Sequence, residues 1–194
     1  MDPLRLLAED RARARAAADP MASLCVLATV DANGWPQART LVLRDLGSRL
    51  ALFMSATSPK FSQLSSSRGS SRASICVYLP SIQVQYRAHV DLEPVEAHLI
   101  AESWQLRPRM PKVLDWFYTR QQRQSSEVLA RSHLQQALQA LPLPEPLVAP
   151  ETATGFYLEP HDLERLDLAQ PDGLHDRVRW VRSDGSWKQS TLLP

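Results

Sequence analysis

Arg39 and Arg44 bracket the run Thr-Leu-Val-Leu in an otherwise apolar stretch. A guanidinium stays charged, and burying one without a partner is costly, so each must reach a carboxylate, a phosphate or water. The plain alternative is two arginines at strand ends that reach solvent. Further along, Ser55 to Lys60 brings hydroxyls, a helix start and an ammonium together within six residues. Ser58 suits an N-cap and Pro59 the first helical position. The free amides and positive dipole of such a start favour an anion, although an ordinary capped helix would look the same. Arg39 and this helix start together suggest phosphate binding. Gln85 and Arg87, two apart in a strand, share one face. His175 and Arg177 do the same in LHDRVRW, where they could meet an anionic ring or phosphate, or else form a surface turn with a local His–Asp pair.

Other chemistries find little support. The 194 residues carry 22 Lys and Arg against 21 Asp and Glu, a formal net charge of +1, so bulk charge selects neither nucleic acid nor an anionic membrane. Cys25 and Cys76 lie far apart in apolar runs, which excludes a C-x-x-C pair or a Cys-rich zinc site and suggests small apolar residues inside strands. No metal site is expected. Only six glycines are present, with no G-x-G-x-x-G, Walker loop or G-x-S-x-G elbow. The five tryptophans are scattered and read as core or interface. No apolar run approaches the roughly 20 residues of a bilayer span. The opening MDPLRLLAEDRARARAAADP lacks the apolar block of a signal peptide, so a cytoplasmic location is expected.

These residues need elements to hold them. Residues 3–18 read as a helix in which the run RARARAAA forms a solvated face, stopped by Asp19-Pro20. SLCVLATV, QARTLVLRDL and LALFMS then read as three antiparallel strands over residues 24–55, turned at Asp31–Gly34 and Gly47-Ser48. A short helix from Ser58 gives way to the Ser-rich loop SSSRGSSR. Two strands follow, ASICVYL and about Ile82–Glu93, bent at Pro80-Ser81. Residues 95–106 keep helical spacing, Pro108 and Pro111 break the chain, and VLDWFYTRQQ and SSEVLARSHLQQALQAL predict two more helices. LPLPEPLVAP is an extended connector. GFYLEP, LERLDLA, DRVRWVRS and SWKQSTLL read as strands, with a hairpin at Ser183–Ser186. About eight strands with helices between an early and a late group predict an α+β fold and a closed or partly closed barrel, because joining the groups removes exposed edges.

The pieces VLATVDANGWPQARTLVLRDL, Ser58-x-Lys60, VQYR at 84–87, LRPR at 106–109, GFYLEP at 155–160, LHDRVRW at 174–180 and the closing Leu192-x-Pro194 occur in an order that resembles the pyridoxamine 5'-phosphate oxidase family. The resemblance runs from about residue 20 to the end. It implies an antiparallel split β-barrel with peripheral helices, FMN as cofactor, and a homodimer with FMN in its interface. The split-barrel domain would cover 20–194, with a helix within 1–19 ahead of it and a helical insertion at about 95–140. Carried over by position, Arg39 and Arg44 would bind FMN. Arg44 stands where the family usually has Lys, and would also lie near the substrate phosphate. Ser55, in place of a Thr, with Ser58 and Lys60 would hold the FMN phosphate. Gln85 would contact the flavin and Arg177 would reach it from the last sheet. Arg107 would bind the substrate phosphate, and His175 would contact the pyridine ring as the catalytic residue.

The sequence also departs from the family pattern. Met54 replaces a Tyr, Pro59 an Arg, Ser103 a Tyr and Pro111 a Ser, while Leu166 stands near where the family has a Trp. Arg120 and Gln121 occupy the region of a Gln-Ser pair, and Asp172 or Gly173 falls where an Arg precedes L-H-D-R. The phosphate anchors are thus kept better than the substrate pocket. The implied activity is oxidation of pyridoxamine or pyridoxine 5'-phosphate by hydride transfer from C4' to FMN, with O2 as acceptor. Two alternatives stay open: FMN-dependent oxidation of another small ring, of the phenazine type, and a non-catalytic flavin- or haem-binding split-barrel protein.

Overall fold

The computed structural model describes residues 2–65 and 72–194. The chain opens with α1, Pro3–Ala16, capped by Asp2, whose carboxylate accepts from the Leu4 amide at 3.0 Å. The buried stripe of α1 is Pro3, Leu7, Asp10, Arg11 and Ala14, a helical period that carries two charged residues inward. The solvated face expected for the arginine run therefore holds for Arg13 and Arg15 and fails for Arg11, which is 0% exposed. Its burial is tolerated because each of its three guanidinium nitrogens has an acceptor. Nε donates to the Ala22 carbonyl and Nη2 to the Leu43 carbonyl, both at 3.0 Å, and Nη1 meets Asp45. Asp10 accepts from the Tyr86 hydroxyl at 2.6 Å and from Arg165 Nε at 2.9 Å.

Strands β1 (Leu24–Val30) and β2 (Pro36–Val42) form the first hairpin. Asp31 makes its turn: Oδ1 accepts from the amides of Asn33 and Trp35, and Gly34 supplies φ +85°. The strand expected over 37–46 is broken at Leu43. The Leu43 amide goes to the Ser23 carbonyl at 2.9 Å and its side chain is buried, so the remainder forms a separate β3 (Arg44–Leu46) paired with β4 (Arg49–Ser55). Helix α2 spans Pro59–Ser65. Of the Ser-rich loop expected over 65–72, Ser65 ends α2, Arg72 opens the next strand, and 66–71 lie outside the described residues. β5 (Arg72–Leu79) and β6 (Val84–Pro94) are joined by a 3-10 turn at Pro80–Ile82.

The helices are α3 (Ala97–Gln105), α4 (Arg109–Arg120) and α5 (Arg131–Gln139). Pro111, expected as a break, sits in the first turn of α4, where a missing N–H is harmless. The helix expected over 125–141 is confined to α5. Val128 and Leu129 ahead of it are exposed, Leu129 by 88%, so those residues have no apolar face to bury and a lone turn is not stable.

The two strands expected at 155–160 and 163–169 are one, β7 (Ala153–Asp167), followed by β8 (Asp176–Ser183) and β9 (Ser186–Thr191). Asp184 and Gly185 both have positive φ, as a tight two-residue hairpin requires. β7 organises the sheet. One edge pairs with β6 along its length, with a register shift at His89/Val90. The other edge pairs first with β4, over 153–158, and then with β8, over 162–167. Pro160 falls between those two partners, where a residue without an N–H is tolerated.

Among the described residues, nine strands form a wholly antiparallel sheet in the order β2-β1-β5-β6-β7-β4-β3, with β8 and β9 branching from β7. The fold is α+β, an antiparallel split barrel with peripheral helices. Leu27, Leu52, Val77, Leu79, Val84 and Val90 fill its interior against α1. Trp104, Val113, Trp116, Phe117 and Leu141 knit α3, α4 and the chain after α5 into a second cluster. Both cysteines sit in strands, and burial pushes the Cys25 thiol up to about 12. No helix among the described residues is long and apolar enough to cross a membrane.

Candidate functional site

Arg39 lies opposite Leu27 in the β1–β2 register and so faces inward. Its guanidinium donates to the Leu27 carbonyl at 3.2 Å, the Thr29 hydroxyl at 2.6 Å and the Gln63 side-chain oxygen at 2.8 Å. All three acceptors are neutral, and burial lowers the Arg39 pKa. The turn from β4 into α2 comes next to this guanidinium through Gln63 on α2. Ser58 is fully buried; its hydroxyl donates to the Ser55 carbonyl at 2.7 Å and accepts from the Phe61 amide at 3.4 Å. Ser55 shares a 2.8 Å hydrogen bond with the Thr57 hydroxyl and accepts from the Thr57 amide at 3.2 Å. Both serines thus shape the turn that presents Lys60.

Lys60 is half-buried, and its ammonium reaches the Gln124 side-chain oxygen only at 3.5 Å. Burial first, then the positive charges of Arg39 and Arg107, push its pKa below the ordinary 10.5, while Asp115 opposes them. Three cations and one carboxylate therefore act as a single electrostatic group, brought from β2, α2, the α3–α4 corner and α4. An excess of cationic charge in a half-buried place suits a phosphate dianion better than it suits an unoccupied fold.

Arg107 stands at the corner between α3 and α4. It pairs with Asp115, whose Oδ2 also accepts from Trp104 Nε1 at 2.8 Å. Asp115 is buried on the apolar stripe of α4 beside Val113, Trp116 and Phe117. Burial raises its pKa above the ordinary value, with Arg107, the Trp104 hydrogen bond and Lys60 acting the other way. Tyr118, a turn further on, is raised by burial and by the Asp115 charge. Asp115, Trp104, Tyr118 and Gln63 escaped the sequence reading. The signal for Asp115 was present: an acid at position 115 between apolar 113, 116 and 117 lies on the buried face of its helix, where it needs a partner.

The remaining expected residues lie elsewhere. Gln85 is opposite Leu166, and Leu166 is opposite Arg177, so all three point away from the barrel interior, on the sheet face opposite Arg39. Arg177 makes a two-point pair with Glu164, at 3.1 Å for each contact, and donates to the Leu193 carbonyl at 3.2 Å. The Leu192 amide donates back to the Arg177 carbonyl at 2.8 Å, so the closing Leu-x-Pro is stitched to this arginine. Arg177, Arg87, Glu164, Arg179, Cys76 and Leu192 line a cavity of about 450 Å³ on that outer face. His175 is exposed in the turn that leads into β8. Arg44 is half-buried on β3 opposite Ala51. One chain therefore gathers Arg39, Ser55, Ser58, Lys60 and Arg107 near one another, sets Gln85 and Arg177 on the other face of the sheet, and leaves His175 and Arg44 outside the group around Lys60.

Comparison with known proteins relates the whole chain to one family. Residues 13–139 match the family model described as pyridoxamine 5'-phosphate oxidase. A pyridoxine/pyridoxamine 5'-phosphate oxidase of Myxococcus xanthus is 31% identical over 198 residues, covering 100% of this chain and 92% of that protein. One of Saccharopolyspora erythraea is 30% identical over 180 residues, covering 89% and 77%. Among solved structures, PhzG from Burkholderia lata, in complex with tetrahydrophenazine-1-carboxylic acid, superposes with a TM-score of 0.80 at 25% identity, covering 100% of this chain and 93% of that one. A pyridoxamine 5'-phosphate oxidase-related, FMN-binding protein from Nostoc punctiforme has the same fold, with a TM-score of 0.79 at 23% identity and coverage of 100% and 99%. With the family model spanning well over half of its residues and full-length relatives at about 30% identity, this chain belongs to the pyridoxamine 5'-phosphate oxidase family.

Proposed function

We propose that this chain is an FMN-dependent oxidoreductase that works on a small ring substrate as a homodimer. The observation that supports it is the grouping of Arg39, Arg107 and Asp115 about Lys60, whose pKa is lowered by burial and by the two guanidiniums. Arg39 and Lys60 would hold the FMN phosphate, and the turn capped by Ser58 and braced by Ser55 would fix the ammonium in place. When bound, FMN supplies a two-electron acceptor that takes a hydride from the substrate and returns the electrons to O2 as hydrogen peroxide. The protein orients the ring, keeps bulk water from it and balances charge.

Pyridoxamine or pyridoxine 5'-phosphate is the first substrate to test, because the full-length relatives carry that name and Arg107 and Arg44 could meet its phosphate. His175 would then contact the pyridine ring, with the hydride leaving C4' to give pyridoxal 5'-phosphate. A second reading, an unphosphorylated ring, is favoured by the engagement of Arg107 with Asp115. The dimer is supported by the division of the expected residues between two faces of the sheet. It is supported also by exposed Val30, Val42, Tyr78 and Val181 on the outer face, where Gln85 and Arg177 stand.

The deciding experiment is an absorbance spectrum of the purified protein before and after added FMN, followed by peroxide release from pyridoxine 5'-phosphate in air. Flavin absorbance with peroxide release is expected for the first reading, and flavin absorbance without it moves the choice to the second. A colourless protein that rejects FMN overturns both.

A further inference from the structure

We propose that Asp115 is a built-in counter-anion for Arg107, and that it makes the substrate arm of this site select a ring without a phosphate. The inference rests on the flavin reading and settles the substrate class within it. Arg39, Lys60 and Arg107 against Asp115 leave an excess of two positive charges, the charge of one phosphate dianion. One phosphate on Arg39 and Lys60 balances the group. A second dianion on Arg107 would have to draw that guanidinium away from Asp115, leaving a buried carboxylate without its ion-pair partner, which is strongly unfavourable.

Asp115 cannot turn aside to avoid this. It is 5% exposed, it accepts from the buried Trp104 indole at 2.8 Å, and it lies among the buried residues of its helix with Val113, Trp116 and Phe117. Arg107 is about one-third exposed, so a guanidinium edge remains for a ring carbonyl, a ring nitrogen or a single carboxylate. Arg44, the other expected phosphate anchor, stands on β3 and is not among the groups that shift Lys60. Asp115 acts through Arg107 and is a positioning residue.

The test compares binding of 4-deoxypyridoxine 5'-phosphate and 4-deoxypyridoxine, a pair that differs in the phosphate and lacks the oxidisable C4' hydroxyl. Calorimetry is run on FMN-saturated protein. Wild type should bind 4-deoxypyridoxine at least as tightly as its phosphate ester, and a preference for the ester overturns the proposal. Asp115→Asn keeps an acceptor for Trp104 and removes the charge, so the relative affinity for the ester should rise by at least about threefold, and Asp115→Asn with Arg107→Gln should return it to the wild-type value. A smaller rise, or one that survives Arg107→Gln, overturns it. Arg107→Gln alone gives an independent reading should Asp115→Asn fail to fold: it should leave the wild-type ratio within about threefold, and a larger fall shows Arg107 already on the phosphate. FMN titration of the same samples separates the two levels. Loss of flavin binding in wild type refutes the flavin reading, whereas flavin binding with a preference for the ester refutes only the role of Asp115.

Discussion

Lys60 is an ammonium that feels two guanidiniums, and among the described residues its one hydrogen bond is a long one, 3.5 Å, to the neutral Gln124 side-chain oxygen. Such a group gains most when an anion arrives. Lys60→Ala and Arg39→Ala should each weaken FMN binding by about 1.5–3 kcal/mol, the worth of a charge-assisted contact, as read by flavin fluorescence titration. Wild-type affinity in both variants would place the phosphate elsewhere. The lowered pKa adds a pH signature. Anion affinity is complete while Lys60 is protonated and falls as pH rises through its folded pKa, which lies below 10.5. Flavin affinity should therefore decline on the alkaline side earlier than an ordinary lysine allows, and Lys60→Arg should flatten the decline. Arg39 was legible in the sequence because a cation in an apolar run demands a partner, Lys60 because it follows a capped helix start, and Arg107 only through the family resemblance of LRPR. Asp115 carried a weaker signal, its place among apolar 113, 116 and 117, which turns decisive only once that helix face is known to be buried.

The elements show why some of the architecture could be read and some could not. Hairpins marked by Asp31–Gly34, Gly47 and Asp184-Gly185 fall where local turn chemistry puts them. The break at Leu43 and the continuity of β7 through Pro160 depend on which strand lies alongside, a non-local fact that no local pattern carries. The inward charges of α1 belong to the same class. Asp10 is buried and ties the helix to Tyr86 and to Arg165 on β7. Asp10→Ala should destabilise the protein by about 3 kcal/mol, the low end for breaking a buried pair because Arg165 keeps Asp167 at 3.1 Å. Chemical denaturation with an unchanged midpoint would show that α1 is not docked in solution. β7 offers a sharper test at Gly155, where an added Cβ would come within 2.7 Å of the Phe53 ring. Gly155→Ala should cost about 1–3 kcal/mol by overpacking, and Gly155→Ala with Phe53→Leu should recover part of it. An undiminished thermal midpoint in the single variant would mean that β4 and β7 pack less closely than this.

At the scale of the molecule, the expected site residues divide by sheet face, and that division is itself a statement about assembly. Arg39 faces the barrel interior and acts with Arg107 on Lys60, while Arg177 is stitched to the closing residues on the outer face. If both groups contact the same flavin, they must come from different chains, because the sheet of a single chain separates them. A two-fold dimer would then own two sites, each using Lys60 from one protomer and Arg177 from its partner. That arrangement predicts complementation. Lys60→Ala and Arg177→Ala should each be deficient in flavin-dependent turnover. Refolding the two together at equal amounts should restore about a quarter of the sites, since half of the randomly formed dimers are mixed and each mixed dimer holds one intact site and one doubly damaged site. Purifying the mixed dimer through two different tags should raise the recovered fraction to about half. A mixed dimer as inactive as its parents would place both side chains in a site made by one chain, and the outer face around Arg177 would then have to be explained without the flavin.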